Sequence, residues 1–224
     1  MKTFINLVAA VAFALMAVMP ASAKTSDPYK GKTMVVVGDS YVYNHHRPWS
    51  ETWHAKVANK LKMFYLNYGR NGRAIVFDRS NDGSGKPINT FYKDMPDNAD
   101  YVLVIAGHND ANYVTRHEGN WDNFVVGFKD FCLALREKYP EAKIGFVLPW
   151  KLDKPNFAEV RRQISATCGE LGIPVLDIDG DGLVKVNDPA FRAEFFQSAD
   201  DTAHLNAKGH DLVVPIGLEF VKGL

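Results

Sequence analysis

The chain has 224 residues, of which 46% are hydrophobic and 23% are charged. Its 26 basic and 26 acidic side chains cancel, which excludes the basic surface of a nucleic-acid-binding protein and the acidic tract of a disordered one. This balance suits a neutral or small substrate better than a polyanion, and the absence of repeats and linkers indicates a single domain.

The N-terminus has the pattern of an export signal. Lys2 precedes an apolar run over residues 4–19, and the run leads to Ala21-Ser22-Ala23, an A-x-A ending. A membrane helix needs about 20 apolar residues, which this run does not reach. We therefore expect residues 1–23 to be a signal peptide and residues 24–224 to be the mature domain. The expected location is periplasmic or extracellular, with no membrane span.

The mature sequence alternates predicted strands and helices. Each strand is a short apolar run rich in β-branched or aromatic residues, and each helix has an apolar face. The predicted strands cover residues 34–37, 64–67, 101–106, 143–148 and 173–178. The first predicted helix opens at Ser50, and the others cover residues 88–92, 121–138, 157–171 and 208–220, with Asn206 capping the last one and Pro215 bending or shortening it.

This alternation indicates a parallel sheet with helices on both faces. The predicted fold class is α/β, a three-layer α/β/α sandwich around a five-stranded parallel sheet of flavodoxin-like order. Ligands bind such sheets beyond the carboxyl ends of the strands. Ser40 follows the first strand, Gly72 the second and Asn109 the third, and a loop with Asp201 and His204 comes after the fifth. We expect these residues to meet at one edge of the sheet.

Asp201 and His204 have the spacing of a carboxylate that holds a catalytic imidazole. A carboxylate three residues before a histidine can accept its Nδ1–H, which leaves Nε2 to take a proton from the Ser40 hydroxyl. Taken singly, each residue has a plainer interpretation, because serine caps helices and an Asp–His pair closes turns. The G-x-S-x-G elbow of α/β-hydrolases is absent, since Val42 occupies its last position.

Gly72 and Asn109 suit the stabilisation of a carbonyl oxygen that becomes negative. A glycine lets its backbone N–H approach a substrate closely, an asparagine amide supplies a second donor, and the Ser40 N–H supplies a third. Singly, the glycine fits a turn and the asparagine fits a loop cap. Together, the residues predict a serine esterase that works through a covalent acyl-enzyme.

These residues fall into four ordered blocks that resemble those of the SGNH (GDSL-like) hydrolases. The blocks are Gly38-Asp39-Ser40, Gly72, Gly107-His108-Asn109-Asp110 and Asp201-x-x-His204-Leu205-Asn206. The resemblance implies an SGNH hydrolase domain with Ser40 as nucleophile and Asp201 and His204 completing the triad. It also implies an oxyanion hole made by Ser40, Gly72 and Asn109, with neither a cofactor nor a metal.

The chain departs from the family pattern at two positions. Tyr41 follows the serine where many members have leucine, which affects the shape of the pocket more than catalysis. His108 lies between Gly107 and Asn109. It either shapes the mouth of the pocket or, as we favour, occupies a passive and variable position.

Cys132 and Cys168 are the two cysteines of the chain. Their predicted helices join consecutive strands and should be neighbours on one face of the sheet. In an exported protein, such a pair forms a disulfide or remains as two small buried hydrophobic residues.

Three further patterns each have two interpretations. The acidic run from Asp177 to Asp188 resembles a calcium loop, but its twelfth position is not Glu and a strand precedes it, so a solvated turn is favoured. His45 and His46 are adjacent and rarely aim at one zinc ion, so they fit the pocket rim better. The phenylalanines between residues 191 and 196 either line an acyl or sugar site or, as their spacing favours, belong to the core.

The resulting expectation is an exported serine esterase that hydrolyses a small acyl ester, for example an O-acetyl ester on a carbohydrate. Its partner is a small-molecule or glycan ester and not a nucleic acid. One alternative is a lipase, lysophospholipase or thioesterase, which needs a longer apolar trough. Another is a glycan-binding protein that keeps the fold without turnover, although the intact Ser40, Asp201 and His204 argue against it.

Overall fold

The computed structural model describes residues 27–117, 120–180 and 182–224 of the chain. The predicted signal peptide at residues 1–23 lies outside these ranges. Among the residues described, no helix combines the length and the apolar character needed to span a bilayer.

Strands and helices alternate along the chain. The strands are β1 (Thr33–Gly38), β2 (Phe64–Gly69), β3 (Tyr101–Ile105), β4 (Lys143–Val147) and β5 (Val175–Leu176). The helices are α1 (Ser40–Tyr43), α2 (Trp53–Lys60), α3 (Ile88–Phe91), α4 (His108–His117), α5 (Trp121–Lys138), α6 (Phe157–Glu170), α7 (Pro189–Phe195) and α8 (Ala207–Gly223).

The five strands form one parallel sheet in the order β2-β1-β3-β4-β5, which confirms the predicted α/β class and flavodoxin-like order. Residues Met34 to Val37 of β1 are fully buried, as expected for a strand covered on both faces. At the end of β1, Gly38 pairs with Gly69 of β2 and with Ile105 of β3. The loops that follow these three strands therefore start at the same level.

The helices form two groups with the sheet between them. The helices α2 and α7 both pack against α8, whereas α5 packs against α3 and α6. Cys132 on α5 and Cys168 on α6 are fully buried free thiols. A hydrogen bond with Cys168, assisted by burial, raises the pKa of Cys132. The predicted contact between the two helices is confirmed, and the thiols are not joined.

Several predicted boundaries were wrong. The first long helix begins at Trp53 instead of Ser50, because the Thr52 side chain accepts a hydrogen bond from the Ala55 N–H and caps the helix there. The strand predicted over residues 173–178 is reduced to β5, because the Ile173 N–H donates to the Cys168 carbonyl and completes the final turn of α6.

The last helix also differs from its prediction. Asn206 caps α8 as expected, since its side chain accepts a hydrogen bond from the Gly209 N–H. Pro215 does not shorten the helix, which continues to Gly223. The helices α1, α4 and α7 were not among the predicted elements. Helix α1 has four residues, which are too few to show a periodic apolar face.

A glycine contact between α8 and α2 gives a prediction about stability. A Cβ atom on Gly217 would lie 2.5 Å from the Trp53 ring, so Gly217→Ala should lower the free energy of unfolding by about 1–3 kcal/mol through overpacking. Alanine normally stabilises a helix, and Gly169 of α6 faces open space. Gly169→Ala should therefore raise the free energy by roughly 0.5–1 kcal/mol. Urea denaturation measures both, and equal effects would refute the contact.

Candidate active site

Ser40 is the first residue of α1 and lies directly beyond the carboxyl end of β1. Asp39 caps this helix, since its Oδ1 accepts a hydrogen bond from the Tyr41 N–H at 2.9 Å. Burial raises the pKa of Asp39 to about 8, although this hydrogen bond opposes the shift. The Ser40 N–H donates to no other described backbone group, so it remains available at the opening of the site.

Asp201 holds the His204 ring and its loop together. Its Oδ2 lies 3.0 Å from His204 Nδ1, and its Oδ1 accepts the backbone N–H groups of Ala203 and His204 at 2.8 and 3.0 Å. Burial alone would raise the pKa of Asp201, but the hydrogen bonds from the His204 ring and from these N–H groups outweigh it and lower the pKa. An ionised carboxylate accepts a hydrogen bond from Nδ1–H, and this leaves Nε2 of His204 as the free acceptor.

Ser40 and His204 line the same cavity, as predicted from their positions in the chain. The cavity is small, about 10 Å³, and Tyr41 and Trp150 form part of its wall. The His204 ring bonds to Asp201 and not to the Ser40 hydroxyl in this conformation. Catalytic hydrogen bonds of this kind are often long without substrate and tighten when it binds.

Gly72 lies in the loop that follows β2. Its φ of 75° is in the left-handed region that favours glycine, and a Cβ atom there would collide with the Ser84 hydroxyl. Its N–H donates to no described backbone carbonyl. The loop thus carries a backbone donor of the kind that the sequence predicted at this position.

Asn109 is buried at the start of α4, and its amide bonds within the protein. Its Nδ2 donates to the Arg73 carbonyl at 3.1 Å and makes a long contact of 3.4 Å with Asp39 Oδ2. The second contact is weak by distance. The hydrogen directed at Asp39 is therefore the less strongly bonded of the two on Asn109 Nδ2.

Arg79, which was not predicted from the sequence, joins the two predicted oxyanion residues. Its Nη1 donates to the Gly72 carbonyl and to Asn109 Oδ1, both at 2.8 Å. An ion pair with Asp82 at 2.8 Å holds the same guanidinium. Arg79 fixes which way the Asn109 amide points, and no local motif marks it as part of the site.

Asp110 fixes the other side of the loop after β2. It is fully buried, and its carboxylate accepts the N–H groups of Ile75 and Val76 at 2.8 and 3.0 Å. Burial raises the pKa of Asp110 to about 6, with these hydrogen bonds opposing the rise. The loop that carries Gly72 is thereby attached to the first turn of α4.

His45 stacks on the face of the His204 ring. The ring centroids are 4.2 Å apart and the planes are inclined by 11°. His45 has a φ of 47°, a conformation that non-glycine residues seldom adopt. Burial, followed by the neighbouring His204 and His46, lowers the pKa of His45, which favours a neutral ring in the stack.

A buried chain of hydrogen bonds holds the turn that carries His45. His210 Nδ1 accepts the Trp53 N–H at 3.3 Å, so its Nε2 is assigned as the donor to Asn44 Oδ1 at 3.1 Å. Asn44 Nδ2 in turn donates to the Pro48 carbonyl at 2.7 Å. Helix α8 therefore supports the loop next to the Asp201–His204 pair.

The two departures from the family pattern contact each other. The Tyr41 hydroxyl lies 2.7 Å from His108 Nδ1, and the His108 ring packs edge-on against Phe157. Burial lowers the pKa of His108 to about 3, so the ring is neutral and Nδ1 accepts a hydrogen bond from the Tyr41 hydroxyl. The interpretation of His108 as a passive position is wrong, because it fixes a side chain of the cavity wall.

The other candidate patterns have structural roles. Arg161 forms ion pairs with Asp177 at 2.7 Å and Asp179 at 2.8 Å, while Asp188 caps α7. Asp181 lies outside the described residues. The phenylalanines between residues 191 and 196 belong to the core or pack against it, as favoured. In the described ranges, no three His, Cys, Asp or Glu side chains are grouped to hold a metal ion.

Comparison with protein families gives one match. The model of the GDSL-like lipase/acylhydrolase family matches residues 36–212, which is most of the chain and includes Ser40, Gly72, Asn109, Asp201 and His204. Comparison with curated protein sequences gives no match.

Solved structures share the fold at low sequence identity. A protein from Lactobacillus plantarum is 20% identical with a TM-score of 0.71, over 87% of this chain and 98% of that one. A carbohydrate acetylesterase from Sinorhizobium meliloti is 16% identical with a TM-score of 0.63, over 86% and 100%. A lipolytic G-D-S-L family protein from Veillonella parvula is 17% identical with a TM-score of 0.55, over 86% and 99%.

The bridge made by Arg79 gives a prediction about turnover. Arg79→Gln should lower kcat for p-nitrophenyl acetate about tenfold with little change in KM, because Gly72 and Asn109 lose the group that orients them toward the transition state. Asp82→Asn is the control, since it removes the exposed ion-pair partner and leaves both hydrogen bonds of Arg79 to the site. Steady-state kinetics decide, and equal losses in the two variants would refute the role.

Proposed function

The chain belongs to the GDSL-like lipase/acylhydrolase family, and we propose that it is an exported serine esterase that removes a short acyl group from a small ester. The observation that carries this proposal is the cavity shared by Ser40 and His204, with Asp201 bonded to the far side of the imidazole. A hydroxyl, an imidazole and a carboxylate in this order are the parts of a serine hydrolase triad.

The proposed reaction has two halves. In the first, Ser40 Oγ bonds to the ester carbonyl carbon while its proton moves to His204 Nε2, and the carbon–oxygen bond to the alcohol then breaks as Nε2 protonates the departing oxygen. In the second, water attacks the acyl-serine with His204 again taking and returning the proton, which releases the acid and free Ser40. Asp201 stabilises the imidazolium in both halves.

Three donors are proposed to stabilise the tetrahedral intermediates. The N–H groups of Ser40 and Gly72 are not used by other described backbone groups, and Asn109 contributes the hydrogen that makes only a long contact with Asp39. Removing one such donor costs roughly 3 kcal/mol of transition-state stabilisation in a comparable site. Arg79 acts as a positioning residue, since it holds two of the three donors.

The size of the cavity supports a short acyl group. The space enclosed beside Ser40 is about 10 Å³, roughly the volume that one water molecule needs. The rings of Tyr41 and Trp150 close it, and Trp150 is fixed by a hydrogen bond from its Nε1 to the Ala203 carbonyl at 2.7 Å. A long acyl chain has no matching trough at this point, so we favour an acetyl ester over a lipid.

Two observations support an extracytoplasmic carbohydrate ester as the substrate. The A-x-A ending of the N-terminal apolar run favours export, which places the enzyme among glycans. The carbohydrate acetylesterase from Sinorhizobium meliloti shares the fold over nearly the whole length of both chains. We therefore propose an O-acetylated saccharide as the natural substrate.

The nucleophile assignment predicts a complete loss of activity on one substitution. Wild-type protein should hydrolyse p-nitrophenyl acetate and react with a serine-directed fluorophosphonate. Ser40→Ala should lower kcat by at least about 1000-fold and abolish the labelling, because no other group can form the acyl-enzyme. Ser50→Ala, an exposed serine on the turn before α2, is the matched control.

The outcomes separate the alternatives. A series of p-nitrophenyl esters from acetate to palmitate should show kcat/KM falling as the chain lengthens, and a maximum at long chains would indicate a lipase instead. Absence of turnover and of labelling in wild-type protein would indicate a binding protein. Release of acetate from acetylated saccharides tests the natural substrate.

Export predicts where the mature chain begins. When the full chain is produced in a bacterium, the protein recovered outside the cytoplasm should start at Lys24, because signal cleavage follows the A-x-A ending. N-terminal sequencing and intact mass measure this. A chain that retains Met1 and stays in the cytoplasm would contradict the assignment, and Ala23→Glu should block cleavage as a control.

A further inference from the structure

An open groove lies beyond the carboxyl end of β2 and is not used by the proposed reaction. It has a volume of about 510 Å³, and its walls include Tyr43, Arg70, Asn71, Arg73 and Phe91. It differs from the small cavity at Ser40 in being wide, polar and reachable from solvent. A groove of this size accommodates a small-molecule ligand.

The groove adjoins the catalytic residues. The Arg70 N–H donates to the Gly38 carbonyl at 3.2 Å, and Gly38 is two residues from Ser40. Asn71 directly precedes Gly72, and its side chain lies beside His45, which stacks on His204. Asn71 of the groove wall is thus the sequence neighbour of Gly72 in the proposed oxyanion hole.

The Arg73 side chain is a buried cation that forms no ion pair with any carboxylate of the described residues. It is 4% exposed, its guanidinium lies 3.8 Å from the centre of the Phe91 ring, and its Nη1 donates to the Tyr68 carbonyl at 3.0 Å. Its Nε is buried and has no hydrogen-bond partner among the described residues. A buried charge without a counter-ion is costly, so a partner from outside the chain is indicated.

Arg70 adds a second positive charge to the same groove. Its Nη2 donates to the Gly83 carbonyl at 3.0 Å, and like Arg73 it forms no ion pair within the described part of the chain. Burial, followed by the charge of Arg70, lowers the pKa of Arg73 to about 10, whereas Asp94 opposes the shift. Arg161, the other buried arginine of the described residues, is paired with Asp177 and Asp179, so Arg73 differs from it in lacking an acidic partner.

We propose that this groove binds a carboxylate carried by the alcohol part of the ester substrate, with Arg70 and Arg73 as its partners. This inference rests on the proposed esterase function. Guanidinium groups match the planar, two-oxygen geometry of a carboxylate and bind it more strongly than a neutral group. The exposed Tyr43 ring, 48% accessible, offers a flat surface for the part of the substrate that joins the carboxylate to the ester.

The test compares two acetyl esters that differ only in charge. 4-Acetoxybenzoate carries a carboxylate and 4-acetoxybenzamide carries a neutral amide in its place, with the 3-substituted pair as a second geometry. The measured quantity is the ratio of kcat/KM for the acid to that for the amide. Comparing this ratio between variants cancels the different intrinsic reactivities of the two esters.

Arg70→Gln should lower the ratio about tenfold, the effect of losing a charge-assisted contact worth about 1.4 kcal/mol. Arg73→Lys keeps the charge but loses the planar fork, and it should lower the ratio by about threefold or more. Arg136→Gln is the matched control, because Arg136 also donates to a backbone carbonyl, that of Leu171, at the opposite end of the sheet. It should leave the ratio unchanged.

A binding measurement separates failure of this proposal from failure of the proposed function. Calorimetry with the Ser40→Ala protein should show benzoate binding more tightly than benzamide, with the difference lost in Ser40→Ala/Arg70→Gln. If both esters are hydrolysed and no arginine substitution changes the ratio of kcat/KM for the acid to that for the amide, the groove assignment is overturned. The proposed esterase function then still stands. Equal affinity for benzoate and benzamide would overturn it even without turnover.

Discussion

The parallel pairing of β1 between β2 and β3 is the constraint on which the site depends. Because Gly38 is level with both Gly69 and Ile105, the three loops that follow start at one height and carry Ser40, Gly72 and Asn109 to the same place. The connection from β1 leads to β2 on one side, and the connection from β2 returns to β3 on the other side of β1. Such a reversal of strand order opens a crevice at the carboxyl end of the sheet. Asp201 and His204 lie on the loop between α7 and α8, which reaches the same end of the sheet.

At this end of the sheet, several side chains each form hydrogen bonds to two different groups and fix their relative positions. Arg79 joins the Gly72 loop to Asn109, Asp201 holds both an imidazole and two backbone N–H groups, and His210 connects α2 to the turn that carries His45. Dipoles fixed in this way need little rearrangement during a reaction, which is the main source of electrostatic catalysis. Burial is the main cause that lowers the pKa of His45 and of His108, which favours neutral rings beside the site.

The sequence predicts the parts of this protein that depend on local pattern. Strand runs follow from apolar periodicity, the Asn206 cap follows from capping preference, and the four motif blocks follow from the resemblance to a known family. Together they were sufficient for the fold class and for the position of the candidate residues. Tertiary contacts decide the rest. No sequence pattern links Arg79 to Gly72, seven residues before it. The stacking of His45 on His204 requires a left-handed backbone conformation at His45, which a histidine in the sequence does not predict. The start of β5 was misplaced for a local reason, since the Ile173 N–H donates to the Cys168 carbonyl at the end of α6.

The position of β2 at the outside of the sheet has a consequence for selectivity. Within the described ranges no strand lies beyond β2, and the arginine-lined groove there is open to solvent, whereas the small cavity beside Ser40 is largely enclosed. In the proposed mode of binding, the two parts of the ester would therefore meet different surroundings. The acyl part would lie in the enclosed cavity and the alcohol part would extend from the open groove into solvent, so the proposed site would accept a polymer as well as its monomer at that end.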